Sequence, residues 1–323
     1  MGALDIFNRY RIGVLAGGIS SEREISLKSG EAVFRALSGL GLDAVLIDAE
    51  KRSFLDQLKG LGVNLVFIAL HGKFGEDGEV QRILESANIP YTGSGPGPSS
   101  LAMDKFSSKK KFEEAGLRVP ACALISNSFD TDPGESDSFS DDPIKVVVKA
   151  GLSAPFVVKP RREGSSMGLS VVMSDDRLEE AVAAARVFGE DVLIEEFVPG
   201  REITVGVLSG KALPVVEVVP REGVYDFTSK YISPCTVYEV PAGLAPETLT
   251  KAENCGLTAH NALGCGSFSR VDMRMSGSGE LFILEVNTVP GLTEKSLLPM
   301  AALADGVDFS ELCVKMLASA LAV

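Results

Sequence analysis

The sequence is poor in the side chains that build soft-metal sites and disulfides. It has no tryptophan, two histidines and five cysteines among 323 residues, and the cysteines are scattered without Cys-x-x-Cys spacing. An odd number of unclustered cysteines beside so few histidines is typical of reduced residues that fill a core. We therefore expect the cysteines to form neither disulfides nor metal sites.

Long hydrophobic runs are also missing. No uncharged apolar stretch approaches the roughly 20 residues that a membrane-spanning helix needs. The start, MGALDIFNRYR, does not have the layout of a secretory signal, which is a basic end followed by an apolar run. We expect a cytoplasmic protein without a membrane partner.

Basic residues are fewer than acidic ones. The chain has 31 Lys and Arg against 44 Asp and Glu, which gives a formal net charge of −13. A nucleic-acid-binding surface needs a clustered excess of basic residues to neutralise phosphates, so we expect no nucleic-acid partner. With 323 residues, 45% of them hydrophobic, the chain is long enough for more than one core, and we expect two or three domains.

The N-terminal part alternates short apolar runs with helical segments. RIGVLAGG, DAVLID and VNLVFIAL are typical of strands, and SEREISLKSGEAVFRALSGLG between the first two has apolar residues at helical spacing. This β-α-β-α-β order predicts a parallel sheet with right-handed crossovers, an α/β arrangement. The loops GGISSE and HGKFGEDG follow strands and should emerge at their carboxyl ends, where open α/β sheets bind ligands.

The rest of the chain is richer in strands, and its pattern favours a mostly antiparallel α+β region. We predict helices over SSLAMDKFSSKKKFEEAG and DRLEEAVAAARVFG, and strands over RVPACALI, APFVVKP, LSVVM, VLIEEFV, EITVGVL and LPVVEVV. Segment 126–142 is acidic without a basic residue and is predicted to be a solvated insertion. Segment 221–239 has no clear periodicity and is typical of a lid or a disordered loop. The tail 298–323 is predicted to be amphipathic and helical.

Two of the later strands carry polar side chains on one face. In ILEVNTVPGL, strand alternation points Glu285 and Asn287 to one side and Val286 to the other. In SRVDMRMS it places Arg270 and Asp272 together. If the two strands are neighbours, three oxygen ligands suited to Mg²⁺ lie beside a cation, a combination that phosphoryl transfer uses. The alternative is a pair of edge strands whose polar faces meet only solvent.

Two other segments have features of a nucleotide site. Lys159 ends an apolar strand and precedes RREGSSMG, so its ammonium and several backbone N–H groups can surround a phosphate, although a plain turn would have the same sequence. VLIEEFVPGRE is a strand that enters a Pro-Gly turn, with Glu195 and Glu196 before the turn and Glu202 after it. The backbone of such a hinge can hold an adenine ring, and the carboxylate beyond it can bind ribose hydroxyls. The alternative is that these carboxylates only face solvent.

The N-terminal loops contribute two further candidates. Glu22 stands near the start of a helix, where anionic groups are favoured, and its carboxylate could bind a substrate ammonium. His71 opens HGKFGEDG directly after a strand and either acts in the site or only orients the loop. His260, inside a helical pattern, is predicted to be structural.

Five segments together resemble one enzyme family. GGISSEREISLKSG, HGKFGEDGEVQ, KPRREGSSMG, YDFTSKY and RVDM…ILEVNTVPGLTEKSLLP occur in the order and register of the D-alanine–D-alanine ligases of the ATP-grasp superfamily. The resemblance implies an ATP-grasp fold behind an N-terminal, Rossmann-like domain with a parallel sheet. We expect domains at 1–103, at 104–198 with the acidic insertion 126–142, and at 199–323.

The resemblance also implies a reaction. In this family ATP phosphorylates the carboxylate of one D-alanine, and the amine of a second D-alanine attacks the acyl phosphate, giving the dipeptide for peptidoglycan synthesis. The implied co-substrate is ATP, the implied metals are two Mg²⁺ or Mn²⁺ ions, and the implied assembly is a homodimer.

Single residues receive roles from the same resemblance. Those implied to bind the two D-alanine molecules are Glu22 and His71 for the first, Arg270 and Gly291 for the oxyanion, and Ser296 and Leu297 for the second carboxylate. Those implied to bind ATP are Lys105, Lys159, Ser165 and Ser166 at the phosphates, Glu195, Glu196, Phe197 and Val198 at the adenine, Glu202 at the ribose, and Lys230 at the γ-phosphate beside Tyr231. The implied metal ligands are Asp272, Glu285 and Asn287, with Glu285 shared by the two ions. Glu22, Ser165, Lys230, Tyr231 and Arg270 are the implied catalytic residues.

Three other functions compete with the ligation of two D-alanines. A related ligase with D-lactate or D-serine as acceptor is disfavoured by Glu22, Tyr231 and Ser296. For D-lactate the reason is that ligases of this branch tend to carry phenylalanine at the position of Tyr231. An inactive nucleotide-binding regulator should have lost metal or lid residues, and all of them are present. A dinucleotide-dependent oxidoreductase is disfavoured because GGISSE lacks the GxGxxG spacing.

Overall fold

Three sheets, each packed against helices, form the architecture of this chain. The fold comes from a computed structural model, which describes residues 4–50, 54–126, 142–189, 191–220 and 236–321. The strands are β1 (Ile12–Ala16), β2 (Ala44–Asp48), β3 (Leu65–Ile68), β4 (Cys122–Ile125), β5 (Phe156–Pro160), β6 (Ser170–Val172), β7 (Val192–Glu196), β8 (Gly200–Leu208), β9 (Lys211–Ala212), β10 (Val216–Pro220), β11 (Thr236–Glu239), β12 (Phe268–Ser276) and β13 (Leu281–Asn287). The helices are α1 (Arg23–Gly39), α2 (Phe54–Gly60), α3 (Glu79–Ser86), α4 (Pro96–Met103), α5 (Lys105–Glu114), α6 (Pro143–Lys149), α7 (Leu178–Arg186), α8 (Pro246–Ala262), α9 (Leu297–Ala304) and α10 (Phe309–Ser319).

The N-terminal sheet is parallel, and the β-α-β-α-β prediction is confirmed. Its strand order is β2-β1-β3. Ile12 and Val14 pack on one face with α1 and the C-terminal helix α10, whereas Leu15 packs on the other face with α2 and α3. Burial on both faces explains why β1 is apolar throughout, since a central parallel strand has no solvent side. The core of the N-terminal sheet thus includes residues from the end of the chain.

The other two sheets are antiparallel, as the second half of the sequence predicts. One has the order β4-β7-β5-β6 and packs against α6 and α7. The other has the order β11-β10-β8-β12-β13, with β9 paired to β8, and packs against α8. The predicted domain limits at residues 103 and 198 remain predictions.

One predicted helix is wrong in a way that matters for the site. The segment SSLAMDKFSSKKKFEEAG forms two helices, because Asp104 has an extended backbone that ends α4 and caps α5. Its carboxylate accepts hydrogen bonds from the backbone N–H of Ser107 at 3.1 Å, from Nε of Arg161 at 2.7 Å and from Nη2 of Arg162 at 2.7 Å. A polar cap of this kind satisfies the open N–H groups of the helix start. It also fixes Lys105, the first residue of α5, beside the end of β5.

The two predicted loops differ from the structure at their ends. Thr236–Glu239 pairs with β10 as β11, so the loop predicted over 221–239 ends in a strand. Asp142 caps α6, a helix that the sequence did not suggest, and the hydroxyl of Ser126 donates to Asp191 at 2.6 Å. Residues 127–141 and 221–235, which hold most of both predictions, lie outside the described residues.

The described part of the chain includes four of the five cysteines and the helices named above. The cysteines described there, Cys122, Cys255, Cys265 and Cys313, are free, and Cys235 lies outside it. Among the described helices, none combines the length and the apolar character that crossing a membrane requires. The predicted helical tail is confirmed in part, as the two helices α9 and α10 separated by a turn.

Asp104→Asn tests the cap and its ion pairs. Burial alone would raise the pKa of Asp104, but Arg161, Arg162 and the backbone N–H of Ser107 outweigh it and hold the pKa below its usual range. Asparagine keeps the cap and loses the charge. The free energy of unfolding of the variant should therefore be about 2–3 kcal/mol lower at neutral pH. Because the folded pKa is lowered, this difference should be complete above the ordinary aspartate pKa of about 3.9 and shrink as the pH falls. Urea unfolding of both proteins from neutral to acidic pH measures it, and a difference that is independent of pH would contradict the assignment.

Candidate active site

A cleft lies between the two antiparallel sheets. It encloses ≈ 880 Å³ of space that includes open solvent, and it is lined by β5, β7, β8, β12 and β13. Most of the residues that the sequence pointed to for ATP and metal line it together: Lys105, Lys159, Ser166, Glu195, Glu196, Phe197, Val198, Glu202, Asp272 and Glu285. Apolar side chains, among them Met167 and Leu169, line the same cleft. The cleft thus combines cations, carboxylates and an apolar wall, as a nucleotide site requires.

The predicted pairing of the two polar strands is confirmed. Asp272 lies opposite Glu285, and Arg270 lies opposite Asn287. Arg270 donates to both carboxylate oxygens of Asp272, from Nε and Nη2 at 2.8 Å each, and Nδ2 of Asn287 donates to the same carboxylate at 3.0 Å. Val286 is buried in the core on the other face. The alternative reading, in which these side chains meet only solvent, is therefore wrong.

A bulge in β13 brings an additional side chain to the cleft. Glu285 pairs with Asp272 but Ile283 pairs with Met273, so Leu284 is one residue more than the partner strand needs. Ile283 is buried in the core, while Leu284 and Glu285 both line the cleft. Bulges re-aim side chains in this way near active sites. As a result, two consecutive residues of β13, Leu284 and Glu285, bring an apolar side chain and a carboxylate to the cleft.

The oxygen groups at this end of the cleft fit a magnesium site that is completed by phosphates. Mg²⁺ in nucleotide enzymes is held by one or two carboxylates, with water and phosphate oxygens supplying the other ligands. Asp272, Glu285 and the amide oxygen of Asn287 provide such a set, and Nζ of Lys105 lies 3.5 Å from Oε2 of Glu285. Within the described ranges, no cluster of three or more His, Cys, Asp or Glu side chains could hold a metal ion. A metal held by Asp272, Glu285 and Asn287 would need further ligands, such as water or phosphate oxygens.

A buried charge network that the sequence analysis missed lies behind the cleft. Oε2 of Glu195 is 2.9 Å from Nζ of Lys159, and Oε1 of Glu195 is 2.9 Å from Nζ of Lys109, although this second contact lacks the alignment of a hydrogen bond. Burial lowers the pKa of Lys109. The pKa of Glu195 is lowered as well, because the two lysines outweigh the effect of burial. Two cations around one carboxylate leave one net positive charge beside the cleft, which favours an anionic ligand.

The loop after β5 reaches the N-terminal unit. Ser165 and Ser166 have φ values of +47° and +57°, a left-handed conformation that is costly for residues with a side chain. The hydroxyl of Ser165 donates to the carboxylate of Glu22, at the start of α1, and Nζ of Lys105 donates to the carbonyl of Glu163. A Cβ atom on Gly164 would lie 2.5 Å from Oε2 of Glu22. A side chain at position 164 would therefore displace the carboxylate of Glu22.

His71 connects the N-terminal sheet to the loop that follows β13. Its Nδ1 lies 2.9 Å from the carbonyl oxygen of Val289, which can only accept, so Nδ1 carries a proton. Its Nε2 lies 2.8 Å from the hydroxyl of Ser29. Burial would lower the pKa of His71, but the neighbouring carboxylates of Glu76 and Glu22 raise it overall. These contacts support loop orientation, and substrate contact by His71 remains a prediction.

The residues predicted to bind the second D-alanine lie on the same loop. A Cβ atom on Gly291 would be 2.9 Å from Oγ of Ser296, so the backbone at Gly291 lies close to this hydroxyl. Oγ of Ser296 accepts a hydrogen bond from the backbone N–H of Thr293 at 3.0 Å. The side chain of Leu297 is buried in the core, which leaves its backbone for any ligand contact.

Other site predictions divide into those the structure describes and those it does not. His260 is buried, and its Nδ1 lies 2.7 Å from the hydroxyl of Ser269, which supports the structural role. Lys230 and Tyr231 lie outside the described residues, so their roles remain predictions. A pattern in the sequence could have revealed Lys109, because it follows Lys105 by one helical turn, and Lys105, Ser108, Lys109 and Phe112 form the buried face of α5.

Lys109→Met tests whether the buried network supports phosphate binding. Removing this charge leaves Glu195 and Lys159 as a neutral pair, so the KM for ATP should rise about tenfold, which corresponds to about 1.4 kcal/mol. Adding Glu195→Gln restores one net positive charge and should recover part of the loss. Lys111→Met is the matched control, because Lys111 is an exposed lysine of the same helix that pairs with Glu114. Steady-state kinetics in which Lys109→Met and Lys111→Met behave alike would contradict the role.

Comparisons with known proteins agree with this geometry. Residues 114–318 match the family profile described as D-ala D-ala ligase C-terminus, and residues 48–94 match the profile of its N-terminus. The D-alanine–D-alanine ligase of Syntrophotalea carbinolica is 44% identical over 311 residues, which cover 96% of each protein. Among solved structures, the D-alanine–D-alanine ligase from Bacillus anthracis complexed with ATP superposes with a TM-score of 0.80 at 32% identity, over 97% of this chain and 98% of that one. The VanG D-Ala:D-Ser ligase from Enterococcus faecalis gives a TM-score of 0.79 at 30% identity, over 96% and 98%.

The matched profiles cover most of the chain, and the relative from Syntrophotalea carbinolica covers nearly all of it. The resemblance seen in the sequence motifs and the predicted fold class are thereby confirmed. The paired carboxylates of β12 and β13 and the lysines around the cleft are the structural counterpart of those motifs. This chain belongs to the D-alanine–D-alanine ligase family of ATP-grasp enzymes.

Proposed function

We propose that this protein joins two D-alanine molecules in an ATP-dependent reaction that passes through D-alanyl phosphate. The observation that carries the proposal is the pairing of Asp272 with Glu285 in a cleft that Lys105 and Lys159 also line. Anionic and cationic groups that line one cleft are what phosphoryl transfer to a carboxylate requires. Family membership supports the choice of D-alanine as substrate.

In the first step, a carboxylate oxygen of D-alanine bonds to the γ-phosphorus of ATP while the bond to ADP breaks. Lys105 and Lys159 would hold the phosphates, because both ammonium groups line the cleft. A metal held by Asp272, Glu285 and Asn287 would neutralise phosphate charge when bound. Glu22 would bind the D-alanine ammonium, and its contact with Ser165 supports this, since it links the substrate side to the loop after β5.

In the second step, the amine of the other D-alanine bonds to the acyl carbon, the bond to phosphate breaks, and the amine loses a proton. Negative charge develops on the carbonyl oxygen during this attack, and a preorganised cation stabilises it. Arg270 is suited to this role because Asp272 holds its guanidinium through two hydrogen bonds of 2.8 Å. The backbone of Gly291 would complete the oxyanion site with Arg270, and Ser296 with Leu297 would receive the carboxylate of the second substrate.

The acceptor substrate and the oligomeric state do not follow from family membership alone. The likeness to a D-Ala:D-Ser ligase keeps D-serine as the second candidate acceptor. The SKY triplet that ends at Tyr231 favours D-alanine, because it resembles the dipeptide-forming branch. A homodimer, a cytoplasmic location and two Mg²⁺ or Mn²⁺ ions are part of the same proposal.

The function is tested by measuring phosphate release from ATP and Mg²⁺ with D-alanine, L-alanine, D-serine and D-lactate compared. We expect turnover with D-alanine alone, and Glu285→Ala should abolish it while the fold is retained, because a carboxylate at the phosphates is lost. Removing one such electrostatic contact typically costs on the order of 3 kcal/mol or more in the transition state. Glu280→Ala is the matched control, since Glu280 is a partly exposed residue just before β13 that pairs with Arg118. Near-normal ADP release by Glu285→Ala would refute the assignment.

A further inference from the structure

Arg274 is a cleft residue for which the sequence analysis predicted no role. It lies on β12 two residues after Asp272, so both side chains are on the same face of the strand. It lines the cleft, and its side chain is 17% exposed. An arginine that is largely withdrawn from water needs partners for its charge and its five N–H groups.

Among the described residues, the partners of Arg274 belong to the turn between β7 and β8 and to the start of β8. Its Nε donates to the carbonyl of Val198 at 3.2 Å, and its Nη2 donates to the carbonyl of Gly200 at 2.8 Å. Its Nη1 lies 3.4 Å from Oε2 of Glu202. The guanidinium carbon also lies 6.0 Å from the centre of the Phe197 ring. One side chain therefore contacts both the turn and the first residues of β8.

The turn is pressed against β12 at the same place. Gly200 has φ +141°, and a Cβ atom there would lie 2.0 Å from the carbonyl oxygen of Met275, the residue after Arg274. No residue with a side chain fits such an approach. Arg274 and Gly200 thus fix the turn to the strand that carries Asp272, and the register pairs Arg274 with Glu202 directly across the two strands.

We propose that Arg274 is a positioning residue for the nucleoside part of ATP, which it acts on through Glu202 and the backbone of the turn. The inference rests on the proposed function and on the roles that the family resemblance implies, in which Glu202 binds the ribose hydroxyls and residues 195–198 hold the adenine. The described contacts of Arg274 lie where the nucleoside is proposed to bind, whereas Lys105 and Lys159 are proposed to bind the phosphates. Arg274 therefore affects recognition of the ribose and not the transfer of phosphate.

The geometry explains why arginine is needed. A guanidinium is planar and presents donors in a fixed fork, so it can hold two carbonyls and a carboxylate at once. Methionine has similar length without donors, and lysine has the charge without the fork. Substitutions of Arg274 by methionine and by lysine therefore separate the effects of side-chain size, charge and donor geometry.

The test compares ATP with 2′-deoxy-ATP and 3′-deoxy-ATP as co-substrates. The parent should prefer ATP, because Glu202 accepts from the ribose hydroxyls. Arg274→Met should lower this preference about tenfold, to the level of Glu202→Gln. The two changes combined should have little more effect than either alone, because they act on one interaction. Arg274→Lys should resemble Arg274→Met, while the KM for D-alanine and kcat at saturating ATP stay close to the parent values.

Arg201→Met is the matched control on the neighbouring strand. Nε of Arg201 donates to Oε1 of Glu217 at 2.6 Å, and Arg201 does not line the cleft. This variant removes the ion pair of Arg201 with the buried carboxylate of Glu217, so it reports on stability while the side chain of Arg274 is unchanged. It should retain the parent preference for ATP. An equal loss of activity with ATP and both deoxy analogues in Arg274→Met, or an additive double variant, would overturn the proposal.

Binding measurements separate this inference from the proposed function. Calorimetry with ADP, 2′-deoxy-ADP and 3′-deoxy-ADP reads the ribose preference without any D-alanine. If the parent releases no phosphate with D-alanine, the proposed function fails. If Arg274→Met and Arg274→Lys both keep the full parent preference for ADP, the positioning role fails. If Arg274→Met does not fold, Arg274→Lys and Arg274→Gln supply the same comparison.

Discussion

The candidate site depends on the antiparallel pairing of β12 with β13, in the register that sets Asp272 opposite Glu285. The register is fixed from the opposite face, where Val271 and Val286 are buried in the core. A slip by one residue would turn the two valines to the cleft and bury the carboxylates. Exposing the apolar side chains and burying the charged ones would both destabilise the fold. Apolar burial thus determines where the charged groups lie, and the bulge at Leu284 adjusts the spacing without changing the register around Asp272.

Around this strand pair, each carboxylate is held beside a cation. Asp272 accepts two hydrogen bonds from Arg270, and Glu285 lies 3.5 Å from the ammonium of Lys105. Such pairing keeps charged side chains in place before a ligand arrives, and a preorganised site loses little free energy to rearrangement during the reaction. The cap at Asp104 contributes by fixing the start of α5, and with it the position of Lys105. Local backbone geometry, buried ion pairs and the cleft are therefore parts of one arrangement.

Much of this arrangement could be predicted, because period-two alternation is a local property of a strand. It placed Glu285 beside Asn287 and Arg270 beside Asp272, and the structure confirms both the pairing and the shared face. The same alternation contains Arg274, yet its role could not be read from the pattern, since its acceptors are backbone carbonyls 74 and 76 residues away. The break between α4 and α5 was missed for a similar reason: helical periodicity continues across it, and the acceptor role of Asp104 depends on arginines 57 and 58 residues later.

The central claim is that the paired strands bind a divalent metal jointly with a nucleotide. Mn²⁺ is the direct probe, because its electron paramagnetic resonance signal distinguishes free from bound ion and its ligand preferences resemble those of Mg²⁺. With ADP present, the account predicts tight Mn²⁺ binding to the parent protein, weak binding without nucleotide, and loss of the tight binding in Asp272→Asn despite a retained fold. Equally tight binding of Mn²⁺ with and without ADP, or unchanged binding in Asp272→Asn, would contradict it.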